Sequence, residues 1–127
     1  MRKAGEYLRR ADEMKANADR ALAEGRLDKC GEMLWGVLAC HLNALMLLRA
    51  GRPATGHREM VEVGRELAAY LGDERLYRAI RHAEKLHANF YHLFMDEEDM
   101  RKAYGEVMYA VGVVRRMIER LYRGLLP

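Results

Sequence analysis

The segment between Leu34 and Leu48 constrains the fold more than any other part of the chain. On a helix, Leu34, Val37, Leu38, Leu45 and Leu48 make one apolar face, and Trp35, Ala39, Leu42 and Met46 make another. A helix that is apolar on two sides has to be enclosed by partners on two sides. His41 and Asn43 interrupt the apolar run 33–48, which makes it too short and too polar at its centre for a membrane span. The segment therefore predicts the central rod of an all-helical domain.

The flanking sequence supplies the partners. Helices are predicted at about 3–24, 28–50, 57–71, 74–94 and 97–125. Ala4, Leu8, Ala11, Ala18 and Leu22 form the seam of the first, and Leu76, Ile80, Ala83, His87, Phe90 and Phe94 that of the fourth. Asp28, Asp73 and Asp96 stand where N-caps are wanted, and Gly25, Gly51 and Gly72 where helices stop. Acidic residues crowd the start of helix five, and Arg115, Arg116, Arg120 and Arg123 its end, as the helix dipole favours. Short connections between helices predict antiparallel neighbours. The expected fold is all-α: one domain over 1–127, an antiparallel four- or five-helix up-and-down bundle. Helix five adds a wide apolar surface of its own (Val107, Ala110, Val111, Val113, Val114, Met117, Ile118 and Leu121), and this surplus predicts a homodimer.

Several chemistries are excluded by what is missing. The chain has no Ser, so it has no serine nucleophile, and it has no Gly-rich phosphate loop. Gly31, Gly36, Gly64, Gly105 and Gly112 fall inside helices, where they predict close helix contacts. Cys30 and Cys40 are ten residues apart on one helix, roughly 15 Å, which is too far to bridge. They read as small buried hydrophobes in a reducing cytoplasm, and the N-terminus has no apolar stretch of an export signal. Cys40 and His41 are adjacent and point about 100° apart, so they make no dyad. Glu84 and His87 have the Glu-x-x-His spacing of a metal helix, but it occurs once where a di-metal bundle wants two. No metal and no cofactor is expected. His41 and His87 lie on apolar seams and read first as core residues. Arg outnumbers Lys 17 to 5, Gln is absent and Asn occurs three times, a balance that fits a hot environment.

The main surface feature is on helix four. Arg75, Arg78, Arg81, His82 and Lys85 share one side at helical spacing, as a phosphate-tracking face would require. Glu74 and Glu84 interrupt it, and no aromatic residue is expected among the exposed charges. Net charge is only +3, which by itself names no partner.

Three stretches carry a family likeness: GEMLWGVLACHLNAL at 31–45, the glycine–loop–histidine join from Gly51 to His57, and AEKLHANFY at 83–91. The chain resembles the HEPN superfamily, and within it most closely the archaeal paralogous-repeat family, PaREP. The resemblance implies a dimeric helical bundle. In some superfamily members it implies a metal-independent ribonuclease of the toxin type, paired with an antitoxin protein. Those enzymes use an Arg, four to six residues, then a His. Arg52–His57, Arg75–His82 and Arg81–His87 all have that spacing, but with 17 Arg roughly two such matches arise by chance. Where active members have Arg-Asn before the last long helix, this chain has Ala88-Asn89. The favoured expectation is a non-catalytic binding or interaction module for RNA, a nucleotide or a partner protein. The alternative is an endoribonuclease using Arg81 and His87 with Asn89 nearby.

Overall fold

A computed structural model describes the backbone of residues 2–92, 95–121 and 123, and the side chains of these except 2, 87–92 and 121. The described residues form five helices: α1 (Arg2–Ala23), α2 (Leu27–Ala50), α3 (His57–Leu71), α4 (Glu74–His92) and α5 (Glu97–Leu121). The all-α expectation holds: 87% of the structure is helical, with no strand among the described residues. The expected ends of helices four and five, 93–94 and 122–125, fall beyond these bounds, and all but residue 123 lie outside the described residues.

The central rod is α2, which touches each of the other four helices. Leu34, Leu38, Leu42 and Leu45 are fully buried, and so are the seam residues Leu76, Ile80 and Ala83 of α4 and Val107, Val114 and Ile118 of α5. By length and composition the whole 24-residue helix could also cross a membrane. In this fold its apolar faces are instead taken up by α1 on one side and by α4 and α5 on the other. Of the apolar residues on α5 that predicted a second copy, all those described are buried or half-buried within the chain. Val111 among them, and Ala39, Met46 and Leu48 of α2, are only half-buried, so the chain itself covers part of the apolar surface behind the dimer expectation.

Packing partners set the helix directions. Met14 meets Gly36, Asp12 meets Arg115 and Asp19 meets Tyr104, so α1 runs against both α2 and α5. Asp73 meets Tyr109, making α4 and α5 an antiparallel hairpin, and Gly64 against Ile80 does the same for α3 and α4. The α2–α3 join departs from the rule that short connections give antiparallel neighbours. Gly51, at φ 78°, ends α2 in the left-handed region and turns the chain back. Ala54 N–H then donates to Asn43 Oδ1 (2.8 Å), and His57 reaches Trp35. As a result α3 sets off in the same general sense as α2 and crosses it. Arg52 fixes this loop by forking onto Glu59 (2.8 and 3.1 Å), which also accepts the Thr55 N–H. These bonds, the Arg52 one first, hold the Glu59 carboxyl down at about 2.

Two of the three expected caps are present. Asp73 Oδ1 accepts the Leu76 N–H (2.9 Å), and Asp96 and Asp99 exchange bonds as a reciprocal box at the start of α5. Asp28 is not a cap. It sits in the first turn of α2, where its charge suits the dipole, and the residue before the helix, Arg26, makes no side-chain cap bond.

The helical glycines divide by what surrounds them. A Cβ on Gly64 would lie 2.6 Å from Ile80 Cδ1, one on Gly36 2.5 Å from Met14 Sδ, and one on Gly31 3.2 Å from Met100 Cε. These three allow close approach, as expected. Gly105 has nothing within 4 Å, and Gly112 meets only Arg116 of its own helix, so neither serves a helix contact. Gly105→Ala should therefore raise stability by about 0.5–1 kcal/mol through helix propensity alone. Gly64→Ala should lower it, because overpacking against a fully buried Ile80 costs about 1–3 kcal/mol. Urea midpoints of the two variants against the parent chain check both signs.

Candidate functional site

At about 100° per residue, Arg75, Arg78, Arg81, His82 and Lys85 fall within an arc of about 120° on α4. All five are exposed, while Leu76, Ala79, Ile80, Ala83 and Leu86 on the opposite arc are buried. The fold thus puts all five on one exposed side of α4, with the exposed Glu74 inside the same arc. Within it, Arg78 lies 3.7 Å from Glu74, an exposed pair that contributes little to stability.

Aromatic residues flank these cations, contrary to expectation. The Arg75 guanidinium stacks 4.0 Å over the Tyr109 ring of α5. Tyr109 O–H in turn donates to Asp73 (2.7 Å), and this bond, before the Leu76 N–H, holds the Asp73 carboxyl below its usual range. On the other edge of the face, Tyr77 is 37% exposed. Arg81 donates to its hydroxyl (3.1 Å) and lies 5.9 Å from the ring centroid, and Arg65 of α3 lies 5.7 Å from it. These are cation–π distances. The i,i+4 spacing of Tyr77 and Arg81 was legible in the sequence. The approach of Arg65 from another helix was not.

Beyond Tyr77 the surface falls into a groove between α3 and α4. One cleft, of about 330 Å³, is lined by Tyr77, Gly72, Asp73 and Arg65 among others. A second, of about 230 Å³, is lined by His57, Arg58, Glu62, Arg65 and Glu84. Arg65 lines both, so the clefts lie in succession along the α3–α4 groove with Arg65 between them. At the second end the His57 ring lies against the buried Trp35 (centroids 4.7 Å apart) and its Nε2 is 3.8 Å from Glu84. Neither His57 with Trp35 nor Arg65 was singled out from sequence as part of a binding face.

The three Arg-to-His spacings have different fates. Arg52 pairs with Glu59 and serves the loop that leads to His57. Arg75 and His82 stand two turns apart on the same face, with Arg75 committed to Tyr109. Arg81 is exposed beside Tyr77, while the side chains of His87 and Asn89 lie outside the described residues.

The buried histidine is a core residue of an unusual kind. His41 is 2% exposed. Its Nδ1 lies 2.8 Å from the Val37 carbonyl, and its buried Nε2 has no hydrogen-bond partner. Only half of the expected satisfaction by neighbours is present. Burial, above all, pushes its pKa down. Both cysteines are free and buried. Burial pushes the Cys30 thiol up to about 11 and raises that of Cys40, the opposite of an activated nucleophile.

Compared with known proteins, residues 6–109 match the model of one family, described as the archaeal PaREP1/PaREP8 family. No curated protein and no solved structure matches the chain.

Proposed function

The chain belongs to the archaeal PaREP1/PaREP8 family, and from that premise we propose that it is a non-catalytic helical module that binds RNA through the exposed face of α4. One observation carries this: Arg75, Arg78, Arg81, His82 and Lys85 are all exposed on one arc of a helix, with Tyr77 at its edge near the Arg65 and Arg81 guanidinium groups. A row of cations at helical spacing tracks a phosphate backbone, and a flanking ring offers a surface for bases. The likeness to the HEPN superfamily agrees with a nucleic-acid partner and supplies the alternative, a metal-independent endoribonuclease using Arg81 and His87.

Anisotropy of a labelled single-stranded RNA tests the proposal. If about four cations engage phosphates, affinity falls about 50-fold between 50 and 200 mM salt. Arg78→Glu with Lys85→Glu should abolish binding at the higher salt while helicity stays intact. Salt-independent binding, or none, refutes the proposal. RNA cleavage in EDTA that is lost in a folded His87→Ala variant would establish the enzyme instead.

A further inference from the structure

The cations on α4 account for attraction to any polyanion. They do not say whether the ligand is a duplex or a single strand, nor where its bases go. The α3–α4 groove bears on both questions. It begins at Tyr77, an exposed ring of α4 whose centroid lies 5.7 Å from the Arg65 guanidinium and 5.9 Å from that of Arg81. It ends at His57 and Glu84. Tyr77 and Glu84 are seven residues apart on one helix, about 10 Å along its axis, or the axial length of about three nucleotides in a stacked strand.

Both ends mix cations with carboxylates. At the Tyr77 end, Asp73 and Glu74 line the cleft, and the Arg65 and Arg81 guanidinium groups lie 5.7 and 5.9 Å from the ring centroid, which puts cations within reach of the phosphates beside a stacked base. At the far end Glu62 and Glu84 put carboxylates beside His57 and Arg58. Carboxylates repel a phosphate but accept from the N–H groups of a base edge. A duplex keeps those edges paired and its bases stacked inward, so only unpaired nucleotides can use such a groove. The His57 ring is backed by Trp35, which gives that end a firm aromatic wall.

We propose that the α3–α4 groove is a subsite for single-stranded nucleic acid: Tyr77 stacks a base, Arg65 and Arg81 hold the adjoining phosphates, and the His57–Glu84 end receives the edge of a following base. The inference rests on the RNA-binding role proposed above, and assigns it a ligand form and base contacts.

The chain provides its own reporter, because Trp35 is its sole tryptophan and lies directly against His57. The probe is a labelled single-stranded RNA octamer of mixed sequence, compared with the same octamer annealed to its complement. Wild type should bind the single strand more tightly than the duplex, with a change in Trp35 emission that saturates alongside the anisotropy. Tyr77→Ala should weaken single-strand binding at least about fivefold, the lower end of a lost base–aromatic stack. Tyr77→Phe keeps the ring and should retain most of the affinity. Circular dichroism on each variant excludes unfolding as the cause.

The failures are distinguishable. If Tyr77→Ala binds as tightly as wild type while Arg78→Glu with Lys85→Glu does not bind, the groove is overturned and RNA binding by α4 stands. Equal affinity for duplex and single strand overturns the groove in the same way. So does saturating anisotropy with unchanged Trp35 emission, since the strand then never reaches His57. If neither RNA binds at any salt, the groove and the proposed function fall together.

Discussion

Leu38→Ala should remove about 2–5 kcal/mol of stability, a large share of the roughly 5–15 kcal/mol that holds a domain of this size together. Leu38 is fully buried on α2, the helix against which all the others pack. Deleting its side chain loses the transfer energy of three carbons. It also leaves a hole that rigid neighbours fill only partly, because α1, α4 and α5 are tied to one another as well as to α2. Asp12 with Arg115 and Asp19 with Tyr104 join α1 to α5, and Asp73 with Tyr109 joins α4 to α5. The urea midpoint should drop with its slope unchanged. Leu48→Ala on the same helix should cost distinctly less, because Leu48 is only half-buried. Equal losses at the two positions would mean that α2 is not enclosed as described.

Acid should weaken the fold through His41 well before the carboxylates titrate. Burial lowers the pKa of this ring from its usual 6.5; the Val37 carbonyl opposes the shift, Arg115 of α5 adds to it and Asp12 of α1 opposes it. An unfolded chain protonates His41 near pH 6.5, whereas the folded chain does so only at lower pH. Within that window the unfolded state binds more protons, so stability falls as pH falls. Above about pH 6.5 the contribution is complete, and below the folded pKa the loss levels off. His41→Leu removes both the titration and the unpartnered Nε2. An unsatisfied buried polar atom costs about 1–3 kcal/mol, and the lost bond to Val37 is worth about 1 kcal/mol, so the variant should be as stable as wild type or more so at pH 8. Urea midpoints at pH 8, 7, 6 and 5 check this. Wild type should lose more than His41→Leu across the range, and parallel curves would mean that His41 is not held neutral by the core.

Much of the candidate site was legible from spacing, and the parts that were not share one cause. Arg75, Arg78, Arg81, His82 and Lys85 belong to a single helix, and helical period alone puts them on one side. Tyr77 lies on the same helix, but whether its ring is exposed depends on how closely α3 approaches, which no pattern within α4 encodes. Arg65 meets Tyr77 from a different helix, and Trp35 meets His57 across a loop that turns back on itself. Arg52–His57 illustrates the converse. Its spacing is right, yet Glu59, two residues beyond His57, takes the Arg for the loop.

The sequence alone determined the five rods and which side of each is apolar. Those properties follow from backbone geometry and side-chain periodicity within a segment, and need no knowledge of neighbours. It also determined that α2 must be surrounded. Only the tertiary structure decided what packs on it within the chain: α1 on one side, α4 and α5 on the other. Only the tertiary structure, likewise, set α3 crossing α2 in the same sense, opening the groove that brings Arg65, Tyr77 and Glu84 to one surface. Burial energy rewards covering apolar area without regard to which partner covers it. The choice among coverings therefore rests on loop geometry and shape fit, such as Gly51 reversing the chain and Gly64 admitting Ile80.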